Sequence, residues 1–528
     1  MMGARSLPGS SIDQNWMGSG GSPGVNTRWA DANDYYMQGG PASWVWINYN
    51  PTTGAGAGSY LDNFIKGCKK QGRIPAIVLY CLPADGKGDS VLGDLEAIND
   101  SAYMSEYYNY GVRTIRHSIY YQTKDDNWPV MLIIEPDFIG YIIQNIFKGS
   151  GYSTMSDLAK STSFYYADPF GEKITGNYTP QVSSANSLPS PYAVGISTEP
   201  LDLPGSYTNS LYGFVTSIPY LVKTPFTADD TITTVQVGSN CKIGWKMNLW
   251  GSPAGGLTPN ATSPNGLPYG TGKGICHWTD AVNAGNSFTT ILGWFQSEVQ
   301  AMANAYWSFG IGVGADFFAL DRYGIDGGSE PNAKTKQIAA YDPQASSWFW
   351  NSDHWNNYLY FIKTATSQYQ VNNDGKAFPC LAWQIPQGRI NTSFATPYSG
   401  TSYGNLIETP ASGQFEDSSS TFWFGDSFTP ATWPATGGPY TNRLHYFSQN
   451  QWGDSVSVSG NTVTWGSHLS KLPENGICGI LFAPGVGNSS CTWGVMQADY
   501  GPTDNYFWLD HSQTYFKNPI ADPYSLHD

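Results

Sequence analysis

The sequence has little charge and no long apolar run. Charged residues make up only 13% of its 528 positions, and no stretch of eighteen consecutive apolar residues occurs, so we expect no membrane insertion. Lys and Arg number 26 against 41 Asp and Glu, which gives a net charge of -15. Nucleic acids and anionic membranes require a basic surface, so neither is an expected partner. A neutral polysaccharide or oligosaccharide is compatible with this charge.

Cysteine motifs and a leader-like segment are also missing. The seven cysteines are widely spaced with no C-x-x-C pair, so we expect no metal site and no cofactor. Residues 1–15 lack the apolar core of a signal peptide. Five Asn-x-Ser/Thr triplets nevertheless fit an extracellular surface, and we expect a secreted protein. The triplets begin at Asn99, Asn177, Asn260, Asn391 and Asn488.

Aromatic residues and glycine are abundant. The chain has 20 Trp, 35 Tyr, 24 Phe and 59 Gly, a composition typical of proteins that handle sugars. Aromatic faces stack on the apolar faces of pyranose rings, while neutral amides and hydroxyls bind the sugar OH groups. Core or loop packing is the alternative for any single aromatic residue.

Short apolar runs alternate with stretches of helical periodicity along the whole chain. This alternation predicts an α/β fold of seven or eight β/α units, a TIM-like or distorted (β/α) barrel in a single domain spanning 1–528. Long insertions are expected at about 150–235 and 393–471, the second with a hairpin at 455–465. The predicted strands are 43–49, 74–82, 130–138, 241–250, 314–321, 379–386 and 476–483. The predicted helices are 60–70, 102–121, 139–148, 288–307, 355–369 and 504–515.

Two apolar runs stop at carboxylates. The run that starts at Val130 ends at Glu135 and Asp137, whose side chains share one face if the backbone stays extended through Pro136. Asp321 ends a second such run. Barrel enzymes keep their chemistry at the carboxyl ends of strands, so these acids are catalytic candidates. The alternatives are a helix cap for Asp137 and a buried salt bridge for Asp321.

Three segments together resemble glycoside hydrolase family 6, the cellobiohydrolase and endoglucanase family. They are Tyr80-Cys81-Leu82-Pro83, the Tyr107 to Tyr110 helix face, and Ile134-Glu135-Pro136-Asp137. The resemblance is strongest over 74–145. It implies a distorted β/α barrel and an inverting hydrolysis of β-1,4-glucan, with Asp137 as the general acid. Glu135 is then either a partner that holds Asp137 or a direct acid/base.

The chain departs from the family pattern at the position of the base. Gln384, Gln387 and Arg389 stand where the family has Lys, Glu and Asp, and Cys81 replaces another family Asp. The catalytic base is therefore open among Asp321 and two acids of a Gly-rich loop, Asp85 and Asp89. The candidate substrate-binding residues are Trp46, Tyr80, Arg322, Trp383, Gln384 and Gln387.

Two functions follow from these observations. The first is a glycoside hydrolase that acts on a neutral polysaccharide, cellulase-like, with Asp137 as general acid. The second is a non-catalytic glycan-binding or surface protein that has a glycosidase-like barrel and no base. An inverting pair of carboxyl groups should lie about 6.5–9.5 Å apart, and a retaining pair about 5–5.5 Å apart.

Overall fold

The computed structural model describes the chain in sixteen segments. They are residues 2–5, 30–38, 59–82, 90–147, 151–166, 176–186, 201, 203–227, 234–253, 256–258, 275–283, 285–322, 350–390, 418–430, 443–483 and 507–519.

Eight parallel strands pair side by side into a closed barrel. Each strand pairs with the next along the chain, and the last returns to pair with the first, which confirms the predicted α/β barrel. Most strands are runs of aliphatic and aromatic residues, because both faces of a parallel barrel sheet are buried. The strands are β1 (Met2–Arg5), β2 (Ala32–Gln38), β3 (Ile74–Tyr80), β4 (Val130–Ile134), β5 (Cys241–Met247), β6 (Phe317–Asp321), β7 (Cys380–Pro386) and β8 (Ile477–Ala483).

Helices cover the outside of the barrel, and several begin at a polar N-cap. Ser90, Ser287 and Asn351 each accept a hydrogen bond from the backbone N–H three residues on, which satisfies a helix-end donor. The helices are α1 (Ser59–Lys70), α2 (Val91–Asn99), α3 (Ser101–Glu106), α4 (Arg113–Thr123), α5 (Phe138–Tyr141), α6 (Met155–Lys160), α7 (Leu211–Lys223), α8 (Cys276–Asn283), α9 (Phe288–Ser308), α10 (Ser352–Asn372), α11 (Ser419–Phe424), α12 (Arg443–Phe447) and α13 (Phe507–Tyr515). π-helical turns span Tyr107–Val112 and Ile142–Ile146, and 3-10 turns span Val182–Asn186, Leu469–Lys471 and Pro473–Asn475.

Alternation along the strands divides the buried apolar residues into two clusters. The larger cluster combines strand and helix residues and lies between the barrel and its helices. The smaller cluster contains strand residues, so it fills the barrel lumen. Its larger members are Ile74, Val78, Tyr80, Met131, Ile133, Phe317, Leu381, Trp383 and Leu481.

The first two strands differ from the sequence-based prediction. β1 and β2 lie in the Gly/Ser-rich opening, for which no strand was predicted, and the predicted first strand at 43–49 falls outside the described residues. β2 reads ANDYYMQ, which is not an apolar run, and Asp34 on its lumen side accepts a hydrogen bond from Trp383. The segment predicted as an insertion at 150–235 contains α7, a mostly buried helix that includes Pro219 and was not predicted.

The predicted hairpin at 455–465 is confirmed. Val456–Ser459 and Thr462–Trp465 pair antiparallel, and Gly460 between them has a φ of 59°. Asp426–Phe428 adds a third strand beside Thr462–Trp465. We refer to these three strands as the hairpin sheet.

Two further pairs of short strands lie between β4 and β5 along the chain. Phe164–Tyr166 pairs antiparallel with Gly176–Tyr178, and Phe226–Thr227 with Thr234–Val235.

Candidate functional site

The carboxyl end of β4 leaves the extended conformation at the Glu-Pro-Asp motif. The backbone φ is 35° at Glu135 and 78° at Asp137, in the left-handed region that residues other than glycine rarely adopt. Such a conformation costs roughly 1–3 kcal/mol per residue and persists only where the surroundings hold it. The predicted arrangement of both acids on one face is therefore wrong, and the two carboxylates enter different layers of the protein.

Glu135 lies in the outer layer and holds the end of β3. It is 1% exposed, and its carboxylate accepts hydrogen bonds from the N–H of Cys81 (3.0 Å), the N–H of Leu82 (3.2 Å) and the hydroxyl of Tyr107 (2.9 Å). Burial raises the pKa of Glu135 to about 7, against the lowering effect of these donors. Because its bonds go to the end of β3 and not to Asp137, Glu135 fixes the strand end that carries Tyr80.

Asp137 faces the mouth of the barrel. Its Oδ1 accepts hydrogen bonds from Lys246 Nζ at 2.6 Å and from Asn248 Nδ2, and the Tyr80 hydroxyl lies 3.4 Å from its Oδ2. The side chain is 19% exposed. It makes no capping hydrogen bond to α5, so the helix-cap alternative does not apply.

Lys246 joins Asp137 to Asp321. The ammonium group lies 2.6 Å from Asp137 Oδ1 and 2.6 Å from Asp321 Oδ2, and the side chains of Lys246 and Asp321 are each 3% exposed. Asp321 is thus in a buried salt bridge, with Lys246 as its partner. Two oxygens that each lie 2.6 Å from one nitrogen can be at most twice that distance, about 5.2 Å, apart.

Beneath this ion-pair network, aromatic residues fill the lumen. Trp383 is fully buried, and its indole N–H donates to Asp34 Oδ2 at 3.1 Å. Tyr36 stacks on its ring at 5.6 Å, and Lys246 Nζ lies 5.8 Å from the ring centroid. Trp383 is therefore a support for Lys246, with no exposed face for a sugar ring.

The other candidate residues near β6 and β7 are all buried. Arg322 is fully buried, and its guanidinium lies over the rings of Trp350 (4.6 Å) and Trp355 (5.5 Å). Gln384 has a φ of 51° and is 7% exposed. Gln387 is fully buried, and among the described residues neither of its side-chain amide atoms has a hydrogen-bond partner.

Sequence reasoning missed Lys246, Asn248 and Asp34. A signal for the first two existed, because in CKIGWKMN they fall two and four residues after Gly244 and so share its face of the strand. Tyr306 on α9 also went unnoticed; its hydroxyl accepts from Asn248 N (3.0 Å) and donates to Asn248 Oδ1 (3.2 Å).

Three of the predicted site residues lie outside the described residues. They are Asp85 and Asp89, in 83–89, and Trp46, in 39–58.

Comparison with known proteins gave no relative: no family model, no curated protein and no solved structure matches this chain. The resemblance to glycoside hydrolase family 6 thus depends on its motifs. Within the described segments, no group of three or more His, Cys, Asp or Glu side chains is arranged to hold a metal ion. Among the helices of those segments, none has the length and apolar character needed to cross a bilayer.

Proposed function

We propose that this protein hydrolyses glycosidic bonds of a neutral polysaccharide, with a β-1,4-glucan as the first substrate class to test. The observation that carries the proposal is the pair of carboxylates, Asp137 and Asp321, held by one ammonium group at the carboxyl-terminal mouth of a closed parallel barrel. Glycoside hydrolases act through two carboxyl groups. The composition and the Glu-Pro-Asp motif support the same class of reaction.

The spacing of the pair favours retention of configuration. The two oxygens that contact Lys246 are at most about 5.2 Å apart, which fits the 5–5.5 Å of retaining enzymes better than the 6.5–9.5 Å of inverting ones. This differs from the inverting route that the family resemblance implies. An inverting reaction would need a more distant base, and Asp85 and Asp89 are the sequence candidates for it.

The contacts of Asp137 suit a nucleophile better than a proton donor. Its Oδ1 already accepts two N–H donors, so a proton on that oxygen would face two other protons. In the proposed reaction Asp137 attacks the anomeric carbon, and the glycosidic oxygen leaves with a proton that passes from the Asp321–Lys246 pair through a water molecule at the mouth of the barrel. Water then hydrolyses the glycosyl ester and returns a proton to that pair.

Replacement of the nucleophile tests the proposal. Asp137→Asn should lower reducing-sugar release from β-glucans, xylan or mannan by at least about 10³-fold, because the covalent step is lost. Asp316→Asn is the matched control, since Asp316 also pairs with a lysine (Lys223, 2.8 Å) but precedes the first residue of β6, at the opposite end from Asp321. Full activity in Asp137→Asn, or no sugar release by the parent protein, would refute hydrolysis at this site. Proton NMR of the first-formed product distinguishes a retained from an inverted anomer.

One observation favours the non-catalytic alternative. Lys246 Nζ lies between the two carboxylates. In a glycoside hydrolase the glycosidic bond of the substrate must occupy that gap. A protein that binds oligosaccharides in calorimetry and releases no sugar from the same panel would be a glycan-binding protein on this barrel.

A further inference from the structure

Lys246 links the two carboxylates of the site but is too buried to reach a polymer itself. Its side chain is 3% exposed, against 19% for Asp137. A polysaccharide bound at the mouth of the barrel would meet Asp137 first. Whatever Lys246 contributes must therefore pass through the carboxylates that it contacts.

The ammonium group of Lys246 is fixed from below and from the side. Asp321 Oδ2 accepts from it at 2.6 Å, and the Trp383 ring lies beneath it at 5.8 Å. Trp383 is in turn anchored by Asp34 through the indole N–H. Because the Lys246 ammonium group is held against the packed lumen, it has little freedom to move. The position of Lys246 therefore determines the orientation of the Asp137 carboxylate that accepts its hydrogen bond.

Asp137 needs such a fixed donor. Its backbone is in the left-handed region, and its Oδ1 is held by Lys246 together with Asn248. Rotating the carboxyl group by half a turn would exchange the two oxygens and break the present pairing of each with its donors. Charge-assisted hydrogen bonds of this kind are about twice as strong as neutral ones.

We propose that Lys246 is the positioning residue of this site: it holds Oδ1 of Asp137 and so leaves Oδ2 to act on the substrate. The catalytic consequence rests on the proposed function, whereas the positioning of Asp137 does not. The same reasoning gives Asp321 a second task, because it neutralises and orients Lys246.

Kinetic analysis of two Lys246 variants tests the catalytic consequence. Lys246→Met should lower kcat about 10- to 100-fold, the effect of one lost charged hydrogen bond, with KM changed less than about twofold. Lys246→Arg keeps the charge and should recover part of kcat. Lys223→Met removes another lysine that pairs with an aspartate, at the end of α7, and should leave both constants unchanged. A rise in KM with kcat unchanged would mean that Lys246 binds substrate directly, which contradicts a positioning role.

Crystal structures test the positioning without any assay of activity. Lys246→Met leaves Asp321 as a buried charge, so the double variant Lys246→Met/Asp321→Asn provides a second protein if the single variant does not fold. In either variant we expect the Asp137 carboxylate to turn away from Asn248 Nδ2. An unchanged Asp137 overturns the inference. A moved Asp137 in a protein that hydrolyses no glycan keeps the positioning role and refutes the proposed function alone.

Discussion

Glu135 is a buried carboxyl group whose protonation is coupled to folding. Its pKa is about 7 in the folded protein against an ordinary value of 4.5, because burial disfavours the charged form. Between these pH values the folded state binds more protons than the unfolded state. The stabilisation from this group is therefore fully present below pH 4.5 and is lost as the pH rises through about 7, a change of at most about 3 kcal/mol.

Glu135→Gln should remove this pH dependence. The amide oxygen can accept from the N–H groups of Cys81 and Leu82, and the Tyr107 hydroxyl can reverse to accept from the amide nitrogen. We expect the urea midpoint of the parent protein to fall between pH 4.5 and pH 8 more steeply than that of the variant. Glu96→Gln, at an exposed position of α2, should follow the parent. Equal slopes for Glu135→Gln and the parent would contradict a neutral buried Glu135.

Sequence reasoning predicted which acidic residues lie at the strand ends, but not the directions in which their side chains point. Asp137, Glu135 and Asp321 were found because apolar runs stop at them. Alternation then predicts which face each one occupies, but the positive φ values at Glu135 and Asp137 break the alternation. Local backbone strain of this kind depends on tertiary contacts, such as those of Lys246, that no short sequence window contains.

Asp454, a buried carboxylate two residues before the hairpin sheet, connects that region to α10. It accepts hydrogen bonds from His468 Nε2 (2.5 Å), Lys471 Nζ (2.7 Å) and, on α10, Asn356 Nδ2 (2.7 Å). Burial alone would raise the pKa of Asp454, but the hydrogen bond and charge of His468, with Asn356 and Lys471, hold it well below its usual range. The stabilisation is therefore present above pH 3.8, the ordinary value, and is lost as the pH falls.

Asp454→Asn should loosen the hairpin sheet while the barrel stays intact. Loss of one partner of a buried charged network costs about 3 kcal/mol, because His468 and Lys471 lose their counter-charge. Amide hydrogen exchange should rise in Val456–Trp465 and remain unchanged in β3. Asp126→Asn removes an ion pair with Lys69 whose aspartate is 43% exposed, and should cost less than about 1 kcal/mol. Unchanged exchange in the hairpin sheet would show that Asp454 does not attach it.

Elements were predictable from sequence where the local pattern and the tertiary environment agree. The hairpin at 455–465 has its turn residues at Gly460 and Asn461, and the strands β3 to β8 are apolar because both of their faces are buried. β2 was missed because its lumen face carries Asp34 and Tyr36. α7 was missed because Pro219 lies inside it, where a proline normally ends a helix.

The closed ring of strands leaves little room for added side-chain volume in the lumen beside Gly244. Gly244 on β5 is the register partner of Phe317 on β6, and a Cβ at Gly244 would lie 2.3 Å from the Phe317 ring. An open sheet could move apart at its edge, whereas a closed barrel must shift strands that are paired on both sides. Because Lys246 follows Gly244 on the same face of β5, any such shift would also move the site.

Gly244→Ala should therefore destabilise the protein by about 1–3 kcal/mol, the usual cost of one extra methyl group in a packed core. Gly293→Ala on α9 is the matched control, since its Cβ would meet no atom within 4 Å. Alanine in a helix interior is favoured over glycine, so this variant should gain about 0.5–1 kcal/mol. Urea unfolding of both variants measures the two changes. Equal stability of Gly244→Ala and the parent would mean that the lumen has room beside Phe317 and that the barrel is not closed around a packed core.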